Sequence, residues 1–169
     1  MKKIYTSLLA MVLFAGSVSA QTLPSLLISS DASALGTAST SVGKVSGAYS
    51  LEGNVASMSL NEDRLSAGAS FGLWQPGYAE DKIIGAGASY RLGDRFALGL
   101  QFKTLRQPSY DIVSESGSVK DSFTPGETGI ALGAAYSITD FLSVGVTGRM
   151  VKSTLGEDAS ASVFGADAA

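Results

Sequence analysis

The chain has 169 residues, among them no Cys and no His, and its 12 basic and 15 acidic residues give a net charge of −3. The missing residue types exclude disulfides, thiolate chemistry and any catalytic site built on imidazole. The acidic balance excludes the basic surface on which nucleic-acid binding depends.

Residues 1–20 have the three parts of a secretory signal peptide. Lys2 and Lys3 come first, an apolar run from Ile4 to Phe14 follows, and small residues at 18–20 end the segment. This order predicts export and cleavage after Ala20, because the run is too short to span a bilayer as a helix. The remaining chain has 10 basic against 15 acidic residues, a net charge of −5.

The next region, residues 21–62, has weak periodicity and is interpreted as an N-terminal segment and candidate plug. The run Ser29-Ser30-Asp31 predicts the cap of one helical turn from Ala32 to Leu35, which ends at Gly36. Weak alternation from Thr37 to Val45 predicts one strand. The stretch from Asn54 to Leu60 predicts a second short helix.

Residues 63–169 carry a different pattern, in which apolar side chains alternate with small or polar ones. A period of two indicates a β-strand with one apolar face. Each stretch approaches the roughly 9–11 residues with which a tilted strand crosses a bilayer. Five strands are predicted, at 64–74, 84–92, 96–103, 129–138 and 142–149, and a sixth begins near Ser160.

Short and long connections alternate between these strands. Gly93-Asp94 and Thr139-Asp140 predict tight turns, whereas 75–82 and 106–127 are longer and polar. Tight turns on one rim and long loops on the other are typical of outer-membrane barrels, with the turns in the periplasm and the loops outside. Aromatic residues flank both tight turns and favour an interfacial girdle, with cross-strand packing in a soluble sheet as the alternative. They are Tyr90, Phe96, Tyr136 and Phe141.

Together these features predict an all-β protein of the outer membrane: an antiparallel transmembrane β-barrel that follows a cleavable signal peptide. A sheet in hydrocarbon must close, and closed single-chain barrels begin at about eight strands. Five or six strong strands and one weak strand predict an incomplete barrel, and therefore a partial chain. Closure by several chains is the alternative.

Few residue patterns point to chemistry. No Ser-Lys pair is positioned for nucleophilic catalysis, so we predict that the protein is not an enzyme and has no cofactor. Asp111, Glu115 and Asp121 lie in the long loop, but their spacing matches no compact Ca²⁺ loop. A solvated acidic loop is therefore favoured over a metal site.

The non-lipid face of the predicted strands carries polar residues among Gly, Ser and Ala, and small neighbours leave room for either an open lumen or a docked plug. The basic groups either guide an anionic ligand or pair with plug carboxylates such as Asp31 and Glu52. Pairing is favoured, because a confined charge needs a partner. The lumen-facing candidates are Arg91, Gln101, Lys103 and Arg149.

Several small-residue motifs lie in the N-terminal half: Ser30-Asp31-Ala32 with Leu35-Gly36, Gly47-Ala48-Tyr49-Ser50, Asn54-x-Ala56 and the strand at Leu65. Together they resemble the PorV/PorQ family of Bacteroidetes, whose barrels are FadL-like. The resemblance implies an N-terminal segment that enters the lumen and a transport or type IX secretion accessory role. FadL-like uptake of hydrophobic small molecules is the alternative. Val55 stands where the family usually has Pro, so the rigid bend of a Pro is absent.

The implied partners are outer-membrane lipid and either a secreted cargo protein or a hydrophobic ligand. Two other interpretations come from the sequence itself. A surface-displayed binding protein would use the loop from 106 to 127 to contact its partner. A soluble periplasmic β-sandwich would bury the Leu and Phe faces against each other.

Overall fold

The computed structural model describes residues 28–38, 47–74, 77–78, 80–114, 117–156 and 159–169. The predicted signal peptide and nearly all of the weak strand predicted at 37–45 lie outside these ranges. Most described residues form antiparallel strands, which confirms the all-β fold class. None of the described helices is long and apolar enough to cross a membrane.

The described residues form eight strands in two sheets. The main sheet has the order β1-β2-β3-β6-β7-β8 with antiparallel neighbours throughout, and β4 and β5 form a separate hairpin. Within the described chain the main sheet is open at β1 and β8, in agreement with the predicted incomplete barrel. The bounds are β1 (Leu65–Trp74), β2 (Asp81–Leu92), β3 (Phe96–Arg106), β4 (Tyr110–Val113), β5 (Val119–Phe123), β6 (Gly126–Ser137), β7 (Ser143–Thr154) and β8 (Ser160–Ala168).

The connections follow the predicted alternation of length, with one correction. Residues 93–95 join β2 to β3, and Gly93 has a φ of 71°, a backbone conformation that favours glycine. Residues 138–142 join β6 to β7. The long connection after β3 is not an irregular polar loop, because the hairpin β4–β5 occupies most of it. Aromatic and β-branched residues such as Tyr110, Ile112 and Val119 supply the strand propensity there.

The two faces of the main sheet differ in the size of their side chains. One face, the outer face, carries the alternating apolar residues, and these are exposed. Leu132 is 62% exposed, Val146 60% and Phe71 65%. Within the described chain no second layer covers them, contrary to the expectation for a soluble sandwich.

The opposite face, the inner face, is covered by the N-terminal segment, defined here as the described residues 28–38 and 47–61. The segment contains α1 (Ala32–Gly36) and two 3₁₀ helices, Gly47–Tyr49 and Val55–Leu60. The side chains of Asp31 and Asn54 cap the first and last of these by accepting backbone N–H groups. Both predicted short helices are therefore present, the second as a 3₁₀ helix. The core between segment and sheet consists of Leu51, Val55, Met58, Ala97, Ala131 and Ala135.

The substitution Leu132→Arg tests whether the outer face lies in hydrocarbon. Leu132 is near the middle of β6, and an Arg at the bilayer midplane destabilises a transmembrane barrel by about 2–4 kcal/mol. We expect the free energy of unfolding of the vesicle-reconstituted protein to fall by that amount. Leu155→Arg, in the connection after β7, is the matched control and leaves it nearly unchanged. Equal effects of the two substitutions would contradict a hydrocarbon-facing outer face.

Candidate functional site: the interface between the N-terminal segment and the inner face

Glycines on the inner face allow the N-terminal segment to approach the backbone of the sheet. A Cβ added to Gly133 would lie 2.3 Å from Leu51 Cδ2, and one added to Gly87 would lie 2.2 Å from the Ala48 carbonyl oxygen. Both distances are shorter than real Cβ contacts. Five inner-face glycines share this property and are called the glycine track: Gly85, Gly87, Gly99, Gly133 and Gly145.

The glycine track crosses four strands in the order in which the segment passes over them. Ser30 and Ala48 lie against the glycines of β2, and Leu51 lies against those of β3 and β6. Ala56 then meets Gly145 on β7, where its backbone nitrogen would be 2.9 Å from an added Cβ. The segment is thus held against the sheet along its length rather than at one point.

A buried ion pair joins the segment to β3. Lys103 Nζ lies 3.3 Å from Glu52 Oε1, and the two side chains are 12% and 14% exposed. Lys103 also donates to the Ile28 carbonyl oxygen. Glu52 accepts hydrogen bonds from the Ser29 hydroxyl and from the N–H and hydroxyl of Ser30. The favoured pairing between an inner-face cation and Glu52 is therefore present.

The surroundings of Glu52, which lies in the segment and outside the strands, keep it ionised. Burial raises the pKa of Glu52, but the charge of Lys103 and the hydrogen bonds from Ser30 and Ser29 together lower it by more. The pKa therefore lies below its ordinary value of 4.5. A buried carboxylate with this environment stabilises the docked segment as long as it carries its charge.

Arg91 and Arg149 bind the segment through its backbone instead of through carboxylates. Arg91 donates to the Asn61 carbonyl oxygen, where the segment leads into β1. Arg149 donates to the Leu51 carbonyl oxygen at 3.2 Å and pairs with Asp167 of β8 at 2.6 Å. The sequence suggested plug carboxylates as partners. Carbonyl acceptors have no sequence signature, so residue patterns alone could not have found these bonds.

Gln101 is the fourth sequence-predicted residue of this interface. It lies on the inner face of β3, opposite Gly87 and Ala131 of the neighbouring strands, and is 5% exposed. At the end of β6, the Ser137 hydroxyl donates to the Ser59 hydroxyl of the segment at 2.8 Å. The structure thus brings all four predicted residues to one face, and the three cations each bond to the segment.

The acidic residues of the long connection do not form a comparable site. Asp111 lies on β4 and Asp121 on β5, and Glu115 is outside the described residues. In the part of the chain that the structure describes, no group of three or more His, Cys, Asp or Glu side chains is arranged to hold a metal ion. The three cations Arg91, Lys103 and Arg149 of the inner face are bound to the chain itself.

An open antiparallel sheet with an apolar outer face and a small, polar inner face that contacts the N-terminal segment defines an incomplete membrane-type β-barrel. The family model described as type IX secretion system protein PorV matches residues 15–169. The chain therefore belongs to the PorV family, which confirms the resemblance drawn from its motifs. This family is associated with the outer membrane and is a secretion-system family, not a known enzyme family. A comparison with curated proteins gives no match.

The substitution Gly133→Val tests the role of the glycine track. Its side chain would occupy the space of Leu51, and overpacking of this kind costs about 1–3 kcal/mol. We expect faster proteolysis within residues 28–61 and a lower free energy of unfolding. Gly148→Val, on the outer face of β7 where an added Cβ meets nothing within 4 Å, is the control and leaves both values nearly unchanged. Equal proteolysis of the two variants would contradict close packing at Gly133.

The depressed pKa of Glu52 predicts a pH dependence of the docked segment. Its stabilising contribution is complete above the ordinary pKa of 4.5 and is lost as the pH falls below that value towards the pKa of the folded protein. We expect a thiol reagent to label a Ser57→Cys variant, the sole Cys in the chain, faster at pH 4 than at pH 7, after correction for reagent reactivity.

The matched control adds Glu52→Gln to the same Cys variant. Loss of the carboxylate leaves Lys103 without its anion, so labelling should already be fast at pH 7, and it should change less with pH. Parallel pH profiles with and without Glu52 would show that other groups cause the release.

Proposed function

We propose that this protein is an outer-membrane β-barrel protein with an accessory role in type IX secretion. Residues 1–20 direct export, residues 63–169 provide membrane-spanning strands, and residues 21–62 are the N-terminal region whose described part occupies the inner face. The tight turns face the periplasm and the long connections face outward. In this role the protein has no catalytic activity and needs no cofactor.

The packed inner face is the observation that supports an accessory role over uptake of hydrophobic molecules. A path along this face would require the segment to leave the glycine track and Glu52 to separate from Lys103, which are 3.3 Å apart. Separating a buried ion pair is costly, because each charge loses its partner in a poorly solvated place. Of the lumen-facing residues, Arg91, Lys103 and Arg149 accordingly hold the segment and do not guide an anionic ligand, and Gln101 is buried on the same face.

The hairpin β4–β5 is the element best placed to contact secreted cargo or other parts of the secretion machinery. It extends from the main sheet between β3 and β6 and pairs with no other described strand. Tyr110, Val113 and Val119 are 58%, 60% and 61% exposed. Exposed apolar residues on a projecting hairpin suit contact with another protein, because an extended peptide can add to a free strand edge.

The test is replacement of residues 109–124 by a two-residue Asn-Gly turn in the full-length protein in cells. An accessory role through the hairpin predicts normal outer-membrane levels with a severalfold loss of cargo secretion. The control inserts Asn-Gly between Thr139 and Asp140, at the opposite end of the sheet, and leaves secretion unchanged. Normal secretion without the hairpin, at normal protein levels, would overturn this role.

A further inference from the structure

The charged residues on the outer face all have the same sign and lie at one end of the sheet. Among the strand residues that face outward in the described main sheet, three are charged: Lys82 on β2, Arg106 on β3 and Lys152 on β7. All three are cationic and exposed. Within the described chain, no carboxylate forms an ion pair with any of them.

The strand register places these cations together at one end of the sheet. Lys82 is directly opposite Arg106, and Lys152 is directly opposite Thr128. The hydroxyls of Thr104 and Thr128 lie beside these cations but are bonded within the sheet, since Thr104 Oγ1 donates to the Glu127 carbonyl oxygen and is 3.2 Å from Thr128 Oγ1. Arg106 is in the row of Thr154, two residues along β7 from Lys152. At about 4.8 Å per strand and 3.4 Å per residue, the Cα atoms of Arg106 and Lys152 are about 12 Å apart. Their long side chains are able to converge on one group.

This cluster borders the apolar part of the outer face. One row further along the strands come Phe102, Ile130 and Met150, which are 39%, 51% and 42% exposed. At the other end of the sheet the outer face carries aromatic rings instead, with Phe96 directly opposite Tyr136. The cations therefore lie on the side of the long connections, at the depth where hydrocarbon would give way to headgroups.

We propose that Lys82, Arg106 and Lys152 bind the phosphate groups of lipids in the leaflet next to the long connections. Phosphate oxygens accept from Arg and Lys donors, and unpaired cations at headgroup depth attract anionic lipid. The lipid's acyl chains then lie along Phe102, Ile130 and Met150. This inference rests on the proposed function, in which the sheet spans a membrane.

The experiment measures retention of diphosphorylated lipid A by the full-length protein in neutral detergent, using native mass spectrometry. The test variant combines Lys82→Gln, Arg106→Gln and Lys152→Gln. The control variant makes the same change of charge at other exposed cations, Arg64→Gln, Arg95→Gln and Lys120→Gln. The comparison lipid is lipid A without phosphates, and inorganic phosphate is the free competitor.

The wild-type and control proteins should retain the diphosphorylated lipid, and the test variant should bind it more weakly by a factor on the order of 100. Millimolar inorganic phosphate should not displace it. Any one of four results would overturn the lipid site. The test variant could retain the lipid as well as the wild type, or the control variant could lose it equally. The wild type could retain the phosphate-free lipid equally, or inorganic phosphate could displace the bound lipid. Insertion into vesicles is scored separately, since failure to insert would overturn the proposed function.

Discussion

Close approach of two backbones is the constraint on which the other interactions of the structure depend. The N-terminal segment contacts the sheet where five glycines remove the Cβ atoms that would hold it away. At this distance water is largely excluded, so the charges of Glu52 and Lys103 must be neutralised by each other instead of by solvent. The ion pair adds little net stability over an apolar pair of the same shape, but it strongly disfavours any register in which one charge is left alone. The glycines thus determine how closely the segment approaches the sheet, and the ion pair determines the register in which it lies there.

The two faces of the sheet differ in side-chain size and in what covers them, and the proposed function is based on this difference. The inner face has small and polar residues because another part of the same chain must fit against it. The outer face has Leu, Phe and Val residues that no described residue covers. The cations of the two faces also differ, since those of the inner face bond to the segment and those of the outer face lie at one end of the sheet. The proposed membrane-spanning barrel, with the N-terminal segment against its inner face, requires these two surfaces.

Patterns with a short period could be read from the sequence, and contacts between distant residues could not. Alternation predicted the strands of the main sheet, including β8 near Ser160, and the Ser29-Ser30-Asp31 run predicted the cap of the helix that follows Asp31. The hairpin β4–β5 was missed because its strands have four and five residues, too few to establish a period. Bonds from Arg91 and Arg149 to backbone carbonyls were missed because any residue type supplies that acceptor.

The bonds that hold the N-terminal segment also impose an order on biosynthesis. Arg149 contacts Leu51 across 98 residues, and Lys103 contacts Ile28 across 75 residues. The segment leaves the ribosome before β3 and β7, the strands that hold it. Loop-closure entropy makes such distant pairings slow to form. Glu52 and its neighbours therefore remain without their partners on β3 and β7 until those strands have been made.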